Sequence, residues 1–254
     1  MDVFIGALLF VLGAIIASFI GVVVARLFTG QSILRGRSFC DACGKPLAPL
    51  SLVPVLSYLA ARGRATCCGA RISAAAPLTE LLLGVLFVLA YHTLGAVSAL
   101  PLFLLSLSLL LALVLYDLAH QILPPALLVP FIACAALSGF MRVPTLEEWY
   151  GSLMVAFLCA LFLASIHYFS RGRAMGFADA PLAFGCALLV GSAALPGFIF
   201  SFWIGAIHGI ALLARRPRGS RMNVEVPFAP YLAAGFLLAY FTQWNPFIFV
   251  VAIP

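Results

Sequence analysis

A chain of 254 residues would fill one or two soluble domains, but 65% of these residues are hydrophobic, only 9% are charged, and the mean hydropathy is +1.18. Arranged in repeated apolar runs of about twenty residues, that composition excludes an ordinary soluble domain and indicates an all-α polytopic membrane protein. The net charge of +6 points to no nucleic-acid site, because the arginines lie in short loops between apolar runs, where they act as topology determinants.

Apolar runs set against polar breaks give eight candidate spans, at residues 4–25, 78–97, 100–116, 122–140, 149–169, 180–195, 197–214 and 227–243. The first is too long for a signal-peptide core and has no basic residue before it, so it reads as a retained helix. Alternation puts the loops 26–77, 117–121, 170–179 and 215–226 on one side of the membrane. They hold thirteen of the fourteen Lys and Arg residues, and Arg142 alone falls on the other side. The positive-inside rule makes the rich side cytoplasmic, with both termini outside. The expected organisation is a first transmembrane helix (1–25), a small Cys-containing cytoplasmic domain (26–77) and a seven-helix membrane domain (78–254). Arg215, Arg216, Arg218 and Arg221 read as topology signals, with contact to anionic lipid as the alternative.

Loop 26–77 carries four of the seven cysteines. Cys40-Asp41-Ala42-Cys43-Gly44 has the spacing and trailing glycine of a zinc knuckle, and a reducing cytoplasm argues against disulfides. A second Cys-x-x-Cys is expected, but the chain reads Ala65-Thr66-Cys67-Cys68-Gly69, with Ala65 where the first thiolate belongs. Adjacent thiolates point in different directions. Three outcomes are therefore open: Cys67 substitutes as a ligand, the protein supplies three ligands, or the site holds no metal. Cys134, Cys159 and Cys186 are singletons in apolar spans and read as small buried hydrophobes. His92, His167 and His208 read as packing or interfacial residues, and His120, three residues after Asp117, as an interfacial histidine that could instead tune that acid.

Acids at membrane boundaries are scarce in this chain. Asp117 closes the third span and Asp179 opens the sixth, which puts both carboxylates at the cytoplasmic interface. Two carboxylates held close in a poorly solvated site share a proton, so that one serves as base toward water while the other polarises a carbonyl. The competing reading is a transporter or channel in which the two acids relay protons or bind a cation. It expects carboxylates at mid-span and gives the cysteine loop no role.

The order of motifs is more specific. Ser38-Phe39-Cys40-Asp41-Ala42-Cys43-Gly44 is followed by Leu52-Val53-Pro54-Val55-Leu56-Ser57-Tyr58-Leu59, then by Arg62-Gly63-Arg64 and Cys68-Gly69-Ala70-Arg71-Ile72-Ser73. Pro77-Leu78-Thr79-Glu80 leads into the second span. Asp117 with Leu123-Pro124, Gly176-Phe177-Ala178-Asp179, and Val226-Pro227-Phe228-Ala229-Pro230-Tyr231-Leu232 complete the series. Over essentially its whole length the chain resembles the type IV prepilin peptidases (leader peptidase/N-methyltransferases), intramembrane aspartic proteases with a Gly-x-Gly-Asp motif. The resemblance implies a bacterial inner-membrane enzyme that cleaves the short basic leader of type IV prepilins or type II secretion pseudopilins after a Gly, on the cytoplasmic side. It further implies S-adenosylmethionine-dependent methylation of the new N-terminus, with a peptidase lacking methylation as the alternative. Carried over by residue, the catalytic aspartates are Asp117 and Asp179 and the zinc-type ligands are Cys40, Cys43 and Cys68 with Cys67 as a candidate fourth; Glu80 is either a contact in methyl transfer or simply an acid favoured at a helix N-terminus. Pro227 and Pro230 form either a turn beside the aspartates or the start of the last helix.

Three positions depart from the family pattern. Ala178 replaces the second glycine, which a helical backbone accepts and a strained one does not. Pro181 stands where many members have Lys, and Ala65 breaks the second cysteine pair.

Overall fold

The computed structural model describes residues 2–29, 32, 39–40, 42–46, 53–173, 175–215 and 226–246. Asp41 of the first knuckle and Arg216, Arg218 and Arg221 of the last basic loop lie outside the described residues. The described chain is helical, with α1 (Asp2–Arg26), α2 (Leu56–Ala60), α3 (Ala75–Leu94), α4 (Leu100–His120), α5 (Pro125–Phe140), α6 (Leu146–Ser170), α7 (Asp179–Val190), α8 (Ala194–Arg215) and α9 (Ala229–Thr242). Among the described residues, five apolar segments are long enough to cross a membrane: α1, α3, α4, α6 and the stretch Asp179–Ala214, while α5 and α9 are shorter apolar helices. This is the polytopic all-α architecture expected from composition.

Helix boundaries follow local chemistry. Proline at the start of α5 needs no N–H partner in the first turn, and Pro124 and Pro125 delay that helix to residue 125. Thr145 caps α6 by accepting from the Glu148 N–H at 3.3 Å, and Glu147 and Glu148 sit in the first turn, where the helix dipole favours acids. The apolar stretch from residue 179 to 214 is broken at Gly191, whose φ of 61° is open to glycine at little cost.

The chain divides into two compact units, 1–95 and 96–254. In the first, α1 packs along α3, and the cysteine loop and α2 lie between them in sequence. Among the described residues the second holds six α-helices, and their contacts fix their directions. Ala229, at the start of α9, meets Asp117 at the end of α4. Arg142, after α5, reaches Leu189 at the end of α7 and Tyr240 near the end of α9. Helix α8 descends antiparallel to α9, with Gly197 against Phe236 and Gly205 against Tyr231. Thus α7 and α8 run in opposite directions, and all six helices alternate. Their site ends are the C-termini of α4, α6 and α8 and the N-termini of α5, α7 and α9.

Helices α8 and α9 touch through small residues, which substitute in lipid for a hydrophobic driving force. Ser201 donates to Gly197 O at 2.8 Å and to Leu232 O at 3.3 Å, and a Cβ at Gly235 would run into the Ser201 backbone N and Oγ. Gly235→Ala is expected to push α8 off α9 at a cost of about 1–3 kcal/mol. Thermal unfolding in detergent would read this as a lowered midpoint, and an unchanged midpoint would contradict the close packing.

Candidate active site

The site end of the second unit is built from helix termini. Asp117 lies in the last turn of α4, which continues through His120 rather than ending as a loop before Asp117. A carboxylate there faces the negative end of its own helix dipole, an unfavourable position. It is offset by the positive end of another helix, because Asp117 Oδ2 accepts the backbone N–H of Ala229, the first residue of α9, at 3.3 Å. Pro230 occupies the second position of that helix, where the missing donor is harmless.

Asp179 is the first residue of α7, where the dipole favours an acid, and its own N–H reaches Gly176 O at 3.4 Å. Asp117 and Asp179 are both buried, 6% and 8% exposed. The structure therefore places two buried carboxylates at the same end of the second unit, on helices separated in sequence by two others.

The altered motif is compatible with this geometry. Ala178 has φ −68° and ψ −15°, ordinary right-handed helical backbone in which a methyl group meets no penalty. Pro181 falls in the first turn of α7, where a missing N–H is tolerated. A Cβ at Gly176 would stand 3.5 Å from Asp179 Oδ2, so the glycine leaves the space beside that carboxylate open. His167, near the end of α6, bonds through Nδ1 to Met175 O at 2.9 Å and meets the Phe177 ring edge-on at 5.6 Å. It thereby supports the segment leading into Asp179. The His120 ring packs on Tyr116 at 4.5 Å.

Two of these contacts, from Ala229 N–H and His167, have no counterpart in the sequence reading. A backbone donor has no side-chain signature. The only sequence signal for His167 was its position, a polar ring at a span end shortly before the Gly-Phe-Ala-Asp run.

The first unit holds the cysteines. Cys40 N–H donates to Lys45 O at 2.9 Å and Gly44 N–H to Cys40 O at 2.8 Å. Ala65 N–H to Ala70 O at 2.8 Å and Gly69 N–H to Ala65 O at 2.7 Å repeat this pattern, with Gly44 and Gly69 at φ 68° and 72°. The second segment is thus a knuckle of the same shape, with Ala65 in the slot that Cys40 fills in the first. Cys67, one residue before Cys68, turns its sulfur into the cluster, and the four Sγ atoms of Cys40, Cys43, Cys67 and Cys68 all lie within 4.8 Å of one another. Cys40 and Cys68 are 3.8 Å apart and Cys43 and Cys67 3.4 Å. Tetrahedral coordination at 2.3 Å requires sulfurs about 3.8 Å apart, so the donor set fits zinc. Backbone N–H groups of Ala42 and Cys43 lower the Cys40 thiol to about 7, whereas Cys67 is pushed up to about 12 by its bonds to Cys43 and Cys40.

Glu80, buried at the start of α3, accepts the Val55 N–H at 2.7 Å through Oε2. Val55 has φ 59°, an outlying conformation for a β-branched residue, which this bond holds in place. Of the remaining cysteines, Cys159 and Cys186 are buried and Cys134 is partly so.

Two family models match the chain in succession, the bacterial peptidase A24 N-terminal domain over residues 11–94 and the type IV leader peptidase family over residues 102–210. The prepilin leader peptidase/N-methyltransferase of Bacillus subtilis (strain 168) is 34% identical, over 92% of this chain and 93% of its own. Its namesake in Myxococcus xanthus (strain DK1622) is 38% identical over 81% of this chain and 62% of its own, and that of Klebsiella pneumoniae 34% over 75% and 87%. No solved structure matches. With the motifs in order and relatives matched over most of their length, this chain belongs to the type IV leader peptidase family.

Proposed function

We propose that this protein is a bacterial inner-membrane aspartic endopeptidase that removes the leader of type IV prepilins or type II secretion pseudopilins and then methylates the new N-terminus. The observation that supports the peptidase half is the placement of two buried carboxylates, Asp117 at the C-terminus of α4 and Asp179 at the N-terminus of α7, at the same end of the second unit. Helix ends suit a protease cutting at a membrane boundary better than a proton relay, which needs acids within the span. The positive-inside distribution supports the reading that these ends face the cytoplasm.

In the cleavage step one carboxylate is ionised and the other protonated. The ionised group takes a proton from water as the water oxygen bonds to the carbonyl carbon, and the protonated group donates to the carbonyl oxygen. When the tetrahedral intermediate collapses, the C–N bond breaks, the leaving amine takes the proton that came from water, and the carboxylate that had donated recovers a proton from the gem-diol as the C=O re-forms. Asp117 needs a fixed orientation in both steps, and the Ala229 N–H supplies it.

S-adenosylmethionine supplies an electrophilic methyl group for the new terminal amine. In the first unit Glu80, with one carboxylate oxygen committed to Val55, has the other available to a cationic group of that cosubstrate. Zinc would be held by Cys40, Cys43, Cys67 and Cys68 and would cross-link the two knuckles.

Co-expression with a candidate prepilin followed by intact-mass measurement tests both halves. The expected product is a leaderless pilin carrying one added methyl group. A leaderless, unmethylated product would reduce the function to peptidase alone, and an uncut prepilin would overturn the proposal.

A further inference from the structure

Arg142 is the single cation outside the basic loops, and the peptidase chemistry gives it no task. It follows α5 at the end of the second unit remote from the carboxylates. Its Nη2 donates to Leu189 O at the end of α7, its Nε to Ser138 O in the last turn of α5 at 3.1 Å, and its Nη1 to the Tyr240 hydroxyl of α9 at 3.3 Å. The guanidinium also lies 5.2 Å from the centre of the Phe103 ring of α4 and 5.7 Å from that of Tyr240. One side chain thus touches the far ends of four helices. At their other ends α4 carries Asp117, α7 begins with Asp179, and α9 begins with the Ala229 N–H that orients Asp117.

The chemistry suits this task. A cation is favoured at the carbonyl ends of α5 and α7. Five donors in a rigid plane can satisfy three acceptors in different directions while the faces stack on rings, which a lysine cannot reproduce. Helix α7 has twelve residues, a rod of about 18 Å, so a shift or rotation at Leu189 reaches Asp179 undamped.

We propose that Arg142 is a positioning residue for proteolysis, a clamp that fixes the relative depth and rotation of α4, α7 and α9 and thereby the separation of Asp117 and Asp179. The inference rests on the reading of those aspartates as the catalytic pair. Misplacing a reacting group by about 1 Å costs up to about a hundredfold in rate.

The test is steady-state cleavage, by the purified full chain in detergent, of a synthetic peptide containing a basic leader, a Gly-Phe junction and the first apolar residues of a pilin. Arg142→Met keeps the stem and removes the guanidinium, and it should lower kcat about tenfold with KM within about twofold. Arg142→Lys should not restore the rate, and Tyr240→Phe should lower it less in the same direction. The bell-shaped pH profile should narrow in Arg142→Met, because carboxylates moved apart repel less and their two ionisations draw together. A wild-type kcat and profile in that variant would overturn the clamp. So would a lower kcat that merely tracks a smaller folded fraction, with the profile unmoved. Asp179→Asn is run alongside: if it also cleaves, the assignment of the pair fails and the clamp falls with it, whereas an inactive Asp179→Asn beside a normal Arg142→Met removes the clamp alone.

Discussion

Asp117→Asn and Asp179→Asn are each expected to reduce leader cleavage by about a thousandfold or more while leaving the protein folded in the membrane. General acid–base catalysis by one positioned group contributes typically between a hundredfold and ten-thousandfold, and here each carboxylate exchanges a proton during the same step. An amide neither takes a proton from water nor donates one as a carboxylic acid does. Asparagine preserves side-chain volume and can still accept the Ala229 N–H, so the Asp117 substitution should not loosen the α4–α9 junction. Asp117→Glu and Asp179→Glu should also fail, since an added methylene moves the carboxyl group by more than the tolerance of such a pair. The readout is the rate of peptide cleavage, paired with elution as a monodisperse species in detergent. Retention of more than a tenth of wild-type activity by either asparagine variant would remove that aspartate from the mechanism.

The carboxylates were legible in the sequence because charge is scarce in this chain. An acid at a span end costs free energy that composition alone does not explain, and the two stood on the same side once the loops were ordered by their basic residues. The helices were legible for the same reason, as apolar runs between polar breaks. What hydropathy could not locate was the turn between α7 and α8, which was expected near residue 195 and occurs at Gly191. Ala193, Ala194 and Leu195 continue the apolar run, and the reversal is marked by the positive φ of Gly191 and the 3-10 turn Gly191–Ala193. The partners of the site were less visible still, because they use the backbone: Ala229 N–H on Asp117, Met175 O on His167, and Ser138 O and Leu189 O on Arg142. Arg142 entered the sequence reading as the one exception to the positive-inside pattern. Its contacts follow from the shared direction of α5, α7 and α9, whose C-terminal ends meet around it, which no single apolar run encodes.

Substitution of Cys43 or Cys67 by serine is expected to lower bound zinc from about one ion per chain to near zero, measured by elemental analysis of the purified protein. A structural zinc site needs four ligands, and a three-thiolate remainder on a part-exposed loop leaves the ion open to water and to chelators. The sequence left three outcomes at this site because neighbouring thiolates diverge. The repeated backbone pattern resolves the geometry: Ala65 stands where Cys40 stands in the first knuckle, and Cys67, in the place of Ala42, brings its sulfur within reach from the other side. The candidate fourth ligand therefore stands at a different place on a turn of the same shape. This leads to a sharper expectation for the double substitution Ala65→Cys with Cys67→Ala, which restores the Cys-x-x-Cys spacing on a backbone already shaped for it. The double variant should hold zinc as the wild type does, whereas Cys67→Ala alone should not. If Cys67→Ala keeps a full complement of zinc, the fourth ligand lies elsewhere and the relocation is wrong. If the double variant stays empty, the second knuckle does not present its first position to the metal, despite sharing the hydrogen bonds of the first.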